Sequence, residues 1–479
     1  MKKLNDLYPG VGTDIVIRRI SCDYKNVEPG DLYVCVVDDN CDGHNYIDEA
    51  VSRGASAVVV GIDVKGNVVP TIKVPDTKRE FPYLCQKLFD YPDKKMKMIG
   101  VTGTDGKTCV SSIIQGLIGS NLCGTIDSNG RSCAAFSHEK ESVKLDSYLF
   151  YDYLDEFEKL RCKYVVTEAN SEVVCRSVFQ AVEYDVAVYT NIINNYIGND
   201  IETERYIISK LQMFRQTKKT GFCILNKDDK FFKQVRNACS GNVFTYGLGA
   251  DNTLQILNFK FYPDKTDITF NYKGNVFSFV SPLLGDFNVY NLAAAMLVCL
   301  ELGFKLEDLL KNVSGLCVQG RVQILNTRSP YYVMVDNAHN FNVITRLLKF
   351  VHTLDINRSI VVIGQAEDKS ILNRSQVGEA VLNNATYAIF TSDNSRGEDP
   401  ENICEDIIKN VKNIKNNYEV IIDRREAIRK AINMANEKDM VLILGRGNDS
   451  YQEVNNAKIY FNDVEEAYQA VVNRNIHEE

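Results

Sequence analysis

Short runs of β-branched and other apolar residues alternate with amphipathic segments along most of the chain, which is the pattern of parallel strands joined by crossover helices. The reading is a three-part α/β protein. Residues 1–95 contain strand-like Asp31–Val37, a helical stretch near Tyr46–Arg53, strand-like Ser56–Val60 and a helix ending around Phe89. Tyr91–Lys97, with a proline among lysines, reads as a linker. Residues 96–320 open on a strand, Met96–Val101, and continue through KYVVTEAN, YDVAVYTN and TGFCILNKDD, apolar runs that each end in polar residues. After Leu254 the period falls to two in ILNFKFY, DITFNY and NVFSFVS, which predicts an antiparallel patch before a helix starting near Asn288. Residues 321–479 return to alternation, with strands in YYVMVDNAH, SIVVIGQ, TYAIFTSDN, YEVIIDR and DMVLILGRG. No internal repeat or low-complexity segment interrupts this order.

Composition narrows the function classes. A chain of 479 residues, 45% hydrophobic and 25% charged, has the make-up of a soluble multidomain protein. No apolar run approaches the roughly 20 residues needed to span a bilayer. The start, MKKLNDLYPG, lacks the apolar core of a signal peptide, so a cytoplasmic protein without a membrane partner is expected. A net charge of -8 without a long Lys/Arg run argues against a nucleic-acid partner and leaves room for small anionic ligands. The 14 cysteines form no C-x-x-C pair and do not cluster with the five histidines, which predicts free, mostly buried thiols. Cys109 is the exception expected to sense thiol reagents, because it follows the loop described next.

The strongest local signal is MKMIGVTGTDGKTCVSSIIQGL, an apolar strand, a glycine turn ending in Gly106-Lys107-Thr108, and a helix. Gly103 and Gly106 let backbone amides close round phosphate oxygens, with Thr104 between them, and the helix N-terminus adds a favourable dipole. Lys107 is placed to neutralise β/γ charge and Thr108 to ligate Mg²⁺. This is a nucleoside-triphosphate loop, although Val101 holds the position of the first glycine in the strict G-x-x-x-x-G-K-T form.

GVTGTDGKT also resembles the phosphate loop of the Mur ligase family, and further family-like motifs follow in order across nearly the whole chain. They are VEPGDLYVCV and DGHNYIDEAVSRGASAVVV in the first part, and GDFNVYNLAAA in the second. GRVQILN, VDNAHN, SDNSRGEDP and GRGNDSYQ complete the series in the third. Within the family the likeness is nearest to the tripeptide synthetases, which add the third amino acid of the peptidoglycan stem. The resemblance implies an acceptor domain (1–95), a central P-loop ATPase domain with a mostly parallel sheet (96–320) and a Rossmann-like amino-acid domain (321–479). It implies a monomer whose third domain swings about a hinge near Gly320. The implied activity uses ATP and Mg²⁺ to join a carboxylate acceptor, UDP-linked in the family, to an amino acid through an acyl phosphate. Such chemistry needs charge neutralisation and alignment more than a protein nucleophile.

Residue by residue, the resemblance makes Glu168 the magnesium carboxylate and Lys210 the lysine that is carbamylated into a metal-binding anion. Seen alone, the first is an ordinary strand-end glutamate and the second an exposed helix lysine. Asn288 and Asn291 match paired asparagines near the adenine, although asparagine at a helix start is commonly a cap. Arg321 and Asp336 match triphosphate-facing and ribose-facing residues, and His339 lies in the same loop. In the amino-acid pocket, Asp393-Asn394-Ser395-Arg396 resembles D-N-P-R, in which Asn and Arg grip the substrate. Gly445 and Asp449 stand where that pocket has Gly and Glu.

Departures fall where substrates sit. Asp23-Tyr24-Lys25 replaces the uridine-contacting D-S-R, and no Thr-Thr-Pro occurs near Lys144, Leu145 and Asp146. Asn195-Tyr196-Ile197-Gly198 replaces D-H-x-D near the second metal site. Glu367 is read at the position of the arginine that meets a carboxylate of the incoming amino acid, which points away from diaminopimelate itself and toward another amine or diamine. Three readings follow: a Mur-type ligase of peptidoglycan precursor synthesis, a specialised paralogue with a non-muramyl acceptor, and a catalytically weak nucleotide-binding partner protein.

Overall fold

The computed structural model describes all residues except 39–40, 65, 67–68, 128–129, 135, 140–144, 171–173, 175, 194–199, 412–415, 456 and 479. It leaves out the side chains of 137–139, 200–205 and 477–478 as well. The chain forms two compact units, Met1–Ile256 with Tyr290–Leu309, and Leu257–Val289 with Leu310–Glu479.

After a short antiparallel pair, Lys2–Lys3 with Val16–Ile17, the first unit contains four parallel strands, β1 (Ile20–Ser21), β2 (Leu32–Val34), β3 (Ala57–Val60) and β4 (Thr71–Lys73), in that order. Alternation along them divides two cores. Leu32, Val34, Ala57 and Val59 face the main core, whereas Tyr33, Val58 and Val60 face a small one with Ile47 and Ala50. Helix α1 (Thr77–Leu88) follows, capped by the Asp76 carboxylate, which accepts from the Arg79 N–H at 2.9 Å. The expected linker after it is a packed 3₁₀ turn, Pro92–Lys94. Asp93 is buried there and accepts from Gln86 Nε2 at 2.8 Å, so this joint is anchored.

Beyond it come β5 (Lys97–Thr102), α2 (Lys107–Ile118), β6 (Cys123–Asp127), β7 (Gly130–Cys133), β8 (Phe136–Glu139), α3 (Ser147–Lys159), β9 (Tyr164–Ala169), β10 (Tyr184–Tyr189), α4 (Asp200–Arg215), β11 (Thr217–Asn226) and β12 (Asn242–Gly247). Their sheet order is β8-β7-β6-β9-β5-β10-β11-β12, parallel from β6 to β12 with an antiparallel edge at β7 and β8. The central strand β5 therefore has both faces and both edges covered, which suits its unbroken run MIGVT. Strand β13 (Leu254–Phe261) starts in this unit, pairing Leu254 with Tyr246 of β12.

In the second unit β14 (Thr266–Tyr272) and β15 (Asn275–Ser281) form the antiparallel hairpin that the period of two predicts. Helix α5 (Asp286–Glu301) begins two residues before Asn288. The main sheet contains β16 (Gln323–Ile324), β17 (Tyr332–Asp336), β18 (Ser359–Ile363), β19 (Tyr387–Phe390), β20 (Tyr418–Val420) and β21 (Met440–Leu444), in the order β16-β17-β21-β18-β19-β20. All but edge strand β16 are parallel. Alternate residues again serve two cores. Met334, Val361, Phe390 and Leu442 pack with α6 (Phe341–Val351), α7 (Ile371–Asn384) and α8 (Pro400–Ile408). Val335, Val362, Ile389 and Val441 pack with α9 (Arg424–Met434) and α10 (Asp463–Glu478). A sheet covered by helices on both faces needs continuous apolar strands, and the sequence supplies them. A short hairpin, β22 (Tyr451–Val454) with β23 (Ala457–Tyr460), precedes α10.

Gly320 lies inside the second unit rather than at its border. A Cβ there would stand 2.3 Å from the Asn448 nitrogen, so this stretch approaches the 447–448 turn as only glycine can. The described cysteines are free and most are buried, but Cys41 and Cys317 are exposed. Cys109 is buried at 9% exposure, contrary to the reagent-accessible thiol its position suggests, because α2 turns it into the helix–sheet contact. Among the described residues no helix is long and apolar enough to cross a membrane.

Candidate active site

The phosphate loop sits at the carboxyl end of β5, flanked by β9 and β10, where open α/β sheets hold their ligands. Gly106 caps α2 with φ +84°, a left-handed value that a side chain resists, and a Cβ there would meet Asn291 Oδ1 at 2.4 Å. Asn291 thus adjoins the loop. A Cβ on Gly103 would lie 1.9 Å from Thr190 Oγ1, so the loop can approach its neighbouring strand only as glycine. Asn191 fixes the turn from below: its carbonyl accepts from the Thr104 N–H at 2.8 Å and its Oδ1 from the Asp105 N–H at 3.0 Å.

Four candidate side chains meet here. Thr108 Oγ1 donates to Glu168 Oε2 at 2.8 Å, and Lys107 Nζ stands 3.7 Å from Glu168 Oε1 while donating to the Thr104 carbonyl at 2.8 Å. Glu168 pairs in register with Val101 on β5, which brings its carboxylate to the loop, and it is buried rather than solvated. Lys210 reaches in from α4. Its Nζ donates to the Gly103 carbonyl at 2.7 Å and lies over the Tyr206 ring at 4.3 Å. It is not the exposed helix lysine its surroundings in the sequence suggest: only 3% of it is accessible. Burial and then the Lys107 charge push its ammonium down to about 7, with Glu168 and Asp105 pulling the other way.

A hydroxyl and a carboxylate side by side are the hard oxygen donors that Mg²⁺ takes alongside phosphate oxygens, so Thr108 and Glu168 fit that ion. Among the described residues no group of three or more His, Cys, Asp or Glu side chains stands ready to hold a metal unaided. Asn195, Tyr196, Ile197 and Gly198 fall outside the described residues.

The remaining candidates belong to the second unit. Asn288 is buried and donates from Nδ2 to the Leu284 carbonyl at 2.8 Å, a bond within its own helix start. Asp336, at the end of β17, accepts from the Val322 and Ala338 N–H groups at 2.7 Å each, so it ties the Arg321–Val322 turn to the loop of His339. Burial nevertheless pushes its carboxyl up. His339 Nδ1 bonds the Asn337 carbonyl at 2.8 Å; a carbonyl only accepts, so this nitrogen carries the proton.

Asp393, Asn394 and Arg396 follow β19, and Gly445 and Asp449 follow β21. These loops leave the same edge of the sheet. Arg446 joins them, donating from Nη1 to Asp393 Oδ1 and to Asn394 Oδ1, both at 3.0 Å. Burial raises the carboxyl of Asp449, with Arg446 opposing and Asp393 adding to the shift. Beneath lies a fully buried pair, Arg424 and Asp463, bonded Nε to Oδ1 and Nη2 to Oδ2 at 2.7 Å each.

Tyr206, Asn191, Arg446 and Glu453 are absent from the sequence reading. Only Tyr206 carried a signal, standing one helical turn before Lys210. Two residues on from Glu367, Lys369 Nζ pairs with Asp368 at 3.4 Å. In the first part of the chain, the Tyr24 ring stacks on that of Tyr46, centroids 4.2 Å apart and planes tilted by 2°. Lys144 lies outside the described residues, whereas Asp146 caps α3 by accepting from the Leu149 N–H at 2.8 Å.

Comparisons with known proteins agree with this arrangement. The Mur ligase middle-domain model matches residues 101–299, and the model described as "Mur ligase, glutamate ligase domain" matches residues 320–447. A UDP-N-acetylmuramoyl-L-alanyl-D-glutamate--2,6-diaminopimelate ligase of Geobacillus thermodenitrificans is 32% identical over 98% of this chain and 97% of its own. That of Aquifex aeolicus is 31% identical over 94% and 92%. A solved structure of a ligase of the same name superposes with a TM-score of 0.72 at 25% identity, covering 99% of this chain and 100% of its own. A phosphate loop in the matched middle domain, a Rossmann-like sheet in the matched C-terminal domain and full-length relatives above 30% identity lead to one conclusion: this chain belongs to the Mur ligase family.

Proposed function

We propose that the protein is a cytoplasmic ATP-dependent ligase that joins an amino acid to a carboxylate acceptor in peptidoglycan precursor synthesis, of the tripeptide-synthetase type. The carrying observation is the convergence of Lys107, Thr108, Glu168 and Lys210 on one glycine loop. Both lysines bond neutral carbonyls, and Lys107 is the one whose charge is available to a polyanion. Lys107 neutralises the terminal phosphates as charge shifts during transfer. Thr108 and Glu168 would hold Mg²⁺, which would supply positive charge to stabilise the phosphates. An amine depressed to about 7 is largely neutral just above that pH, the state that reacts with carbon dioxide; this supports the carbamate role of Lys210.

The division of labour is an acceptor domain (1–95), an ATP domain (96–320) and an amino-acid domain (321–479). In the last, Asp393, Asn394, Arg396, Gly445 and Asp449 form the amine site, while Arg321, Asp336 and His339 serve the nucleotide together with Asn288 and Asn291 of the ATP domain. Activation of the acceptor carboxylate as an acyl phosphate lets the incoming amine displace phosphate.

A second reading, a paralogue with a non-muramyl acceptor, rests on Tyr24, whose phenol fills the face of Tyr46 where the family has a small hydroxyl residue. Phosphate release from ATP, measured with UDP-muramyl dipeptide and a panel of amino acids, decides between them. Release that needs both substrates supports the first reading; release only with other acceptors supports the second. Silence with every pair in bicarbonate-rich buffer would overturn both.

A further inference from the structure

The main sheet of the second unit ends on blunted edges. Strand β16 is two residues long, and β20 is three, with its Glu419 bonded to Lys430 at 2.7 Å. Short strands and charge keep an edge from pairing with another chain. Strand β15 has neither protection. It is the terminal strand of its sheet, seven residues long, Asn-Val-Phe-Ser-Phe-Val-Ser, with no charge and no proline. Its register with β14 runs from Thr266 opposite Ser281 to Tyr272 opposite Asn275 without a bulge.

That register fixes which groups the edge offers. Lys273 at φ +52° and Gly274 at φ +90° make a two-residue turn of type I′, so Tyr272 and Asn275 are a hydrogen-bonded pair. Bonded pairs alternate along an antiparallel ladder. Phe277, Phe279 and Ser281 therefore spend their N–H and C=O groups on β14, and those of Val276, Ser278 and Val280 point outward, where no described residue meets them. The side chains of the same three residues are exposed, Val276 at 58% and Val280 at 52%. Phe277 and Phe279 are half-buried on the other face, stacked with centroids 6.0 Å apart.

About Ser278 the strand reads the same in both directions, Val-Phe-Ser-Phe-Val. A two-fold contact asks for such self-complementarity, since each residue must suit the one at its mirror position. In an antiparallel pair centred on Ser278, Val276 falls opposite Val280 of the second copy, Phe277 opposite Phe279, and Ser278 opposite its own equivalent. Outward-pointing residues then face outward-pointing residues, as the ladder requires. Charge agrees as well. The hairpin carries Asp267, opposite Val280 at one end, and Lys273 in the turn at the other, so antiparallel pairing sets the acidic end of each copy beside the basic end of its partner.

We propose that β15 is a dimer interface, on which a second copy of this chain adds its own β15 antiparallel across a two-fold axis at Ser278. This replaces the monomer that the family resemblance implies. A seam of seven residues a side is small beside the roughly 1,600 Å² of a standard interface, so the dimer comes apart on dilution.

Sedimentation velocity on the full chain, from about 1 to about 200 µM, should show the average mass rising from 54.1 kDa toward twice that value. Hydrogen exchange at the two ends of this range locates the seam: the amides of Val276, Ser278 and Val280 should slow at least about tenfold at the higher concentration. Two double variants test the register. Val276→Glu with Val280→Lys sets opposite charges face to face across the axis, and Val276→Lys with Val280→Lys sets like charges there. The first should associate at least about tenfold more tightly than the second at low salt, with melting temperatures within about 3 °C of each other. A mass of 54.1 kDa at every concentration would overturn the proposal, whatever other chain this edge then serves. Doubling without protection of those three amides, or equal association of the two variants, would overturn it too. If the variants do not fold, exchange in the wild type decides.

Discussion

The two polar clusters of this molecule are built on opposite principles. Around the phosphate loop, Lys107 and Lys210 bond backbone carbonyls, and one carboxylate, Glu168, serves both a hydroxyl and an ammonium. At the edge of the second sheet, Arg446, Arg424 and Arg396 each have a carboxylate of their own in Asp393, Asp463 and Glu453. The first cluster gathers two amines round one carboxylate and leaves Lys107 to receive a polyanion; in the second each of these guanidiniums is matched by a carboxylate, which holds its direction.

That contrast can be broken most severely at Lys107. Lys107→Ala should abolish measurable phosphate release, a loss of at least about 10³-fold or about 4 kcal/mol of transition-state stabilisation, with the melting temperature nearly unchanged. A large fall in stability instead would mean that this lysine is structural after all. In the second cluster the expectation is reversed. Asp463→Ala leaves the fully buried Arg424 unpaired and should cost about 3–5 kcal/mol of stability in urea unfolding, because an isolated buried charge is left behind. ATP binding by the first unit, read by calorimetry, should survive under conditions where the variant is folded.

A subtler probe is Lys210→Ala, expected to lower turnover about 100-fold, with partial recovery on adding short-chain carboxylic acids. Failure of such rescue counts against the carbamate. The smallest effect is on pH dependence in the unliganded protein. The folded amine is depressed to about 7 and the ordinary lysine value is 10.5, so between these values the unfolded chain binds a proton that the folded one does not. Stability from this group therefore rises with pH across that window, and its cost is fully present below about 7. Lys210→Met should be more stable than wild type at pH 6, and the difference should shrink by pH 9 in urea midpoints.

Local pattern carried much of this protein. The strand runs from MIGVT to MVLIL are legible because a strand covered on both faces must be apolar throughout, and the loop GTDGKT because its turn needs glycine where the backbone is left-handed or crowded. The order of motifs was enough to suggest the family before any coordinate. What the sequence could not disclose were properties that depend on a neighbour distant in the chain. Lys210 looks solvated until α4 sets it beside Gly103, 107 residues away, and Cys109 looks reachable until α2 packs on the sheet. The segment at Tyr91 looks like a tether until Gln86 and Asp93 close it. Arg446 and Glu453 find their partners only where β22 lies along the loop after β19, since hydrogen-bond direction is fixed by which donors meet, and that meeting is made by the fold.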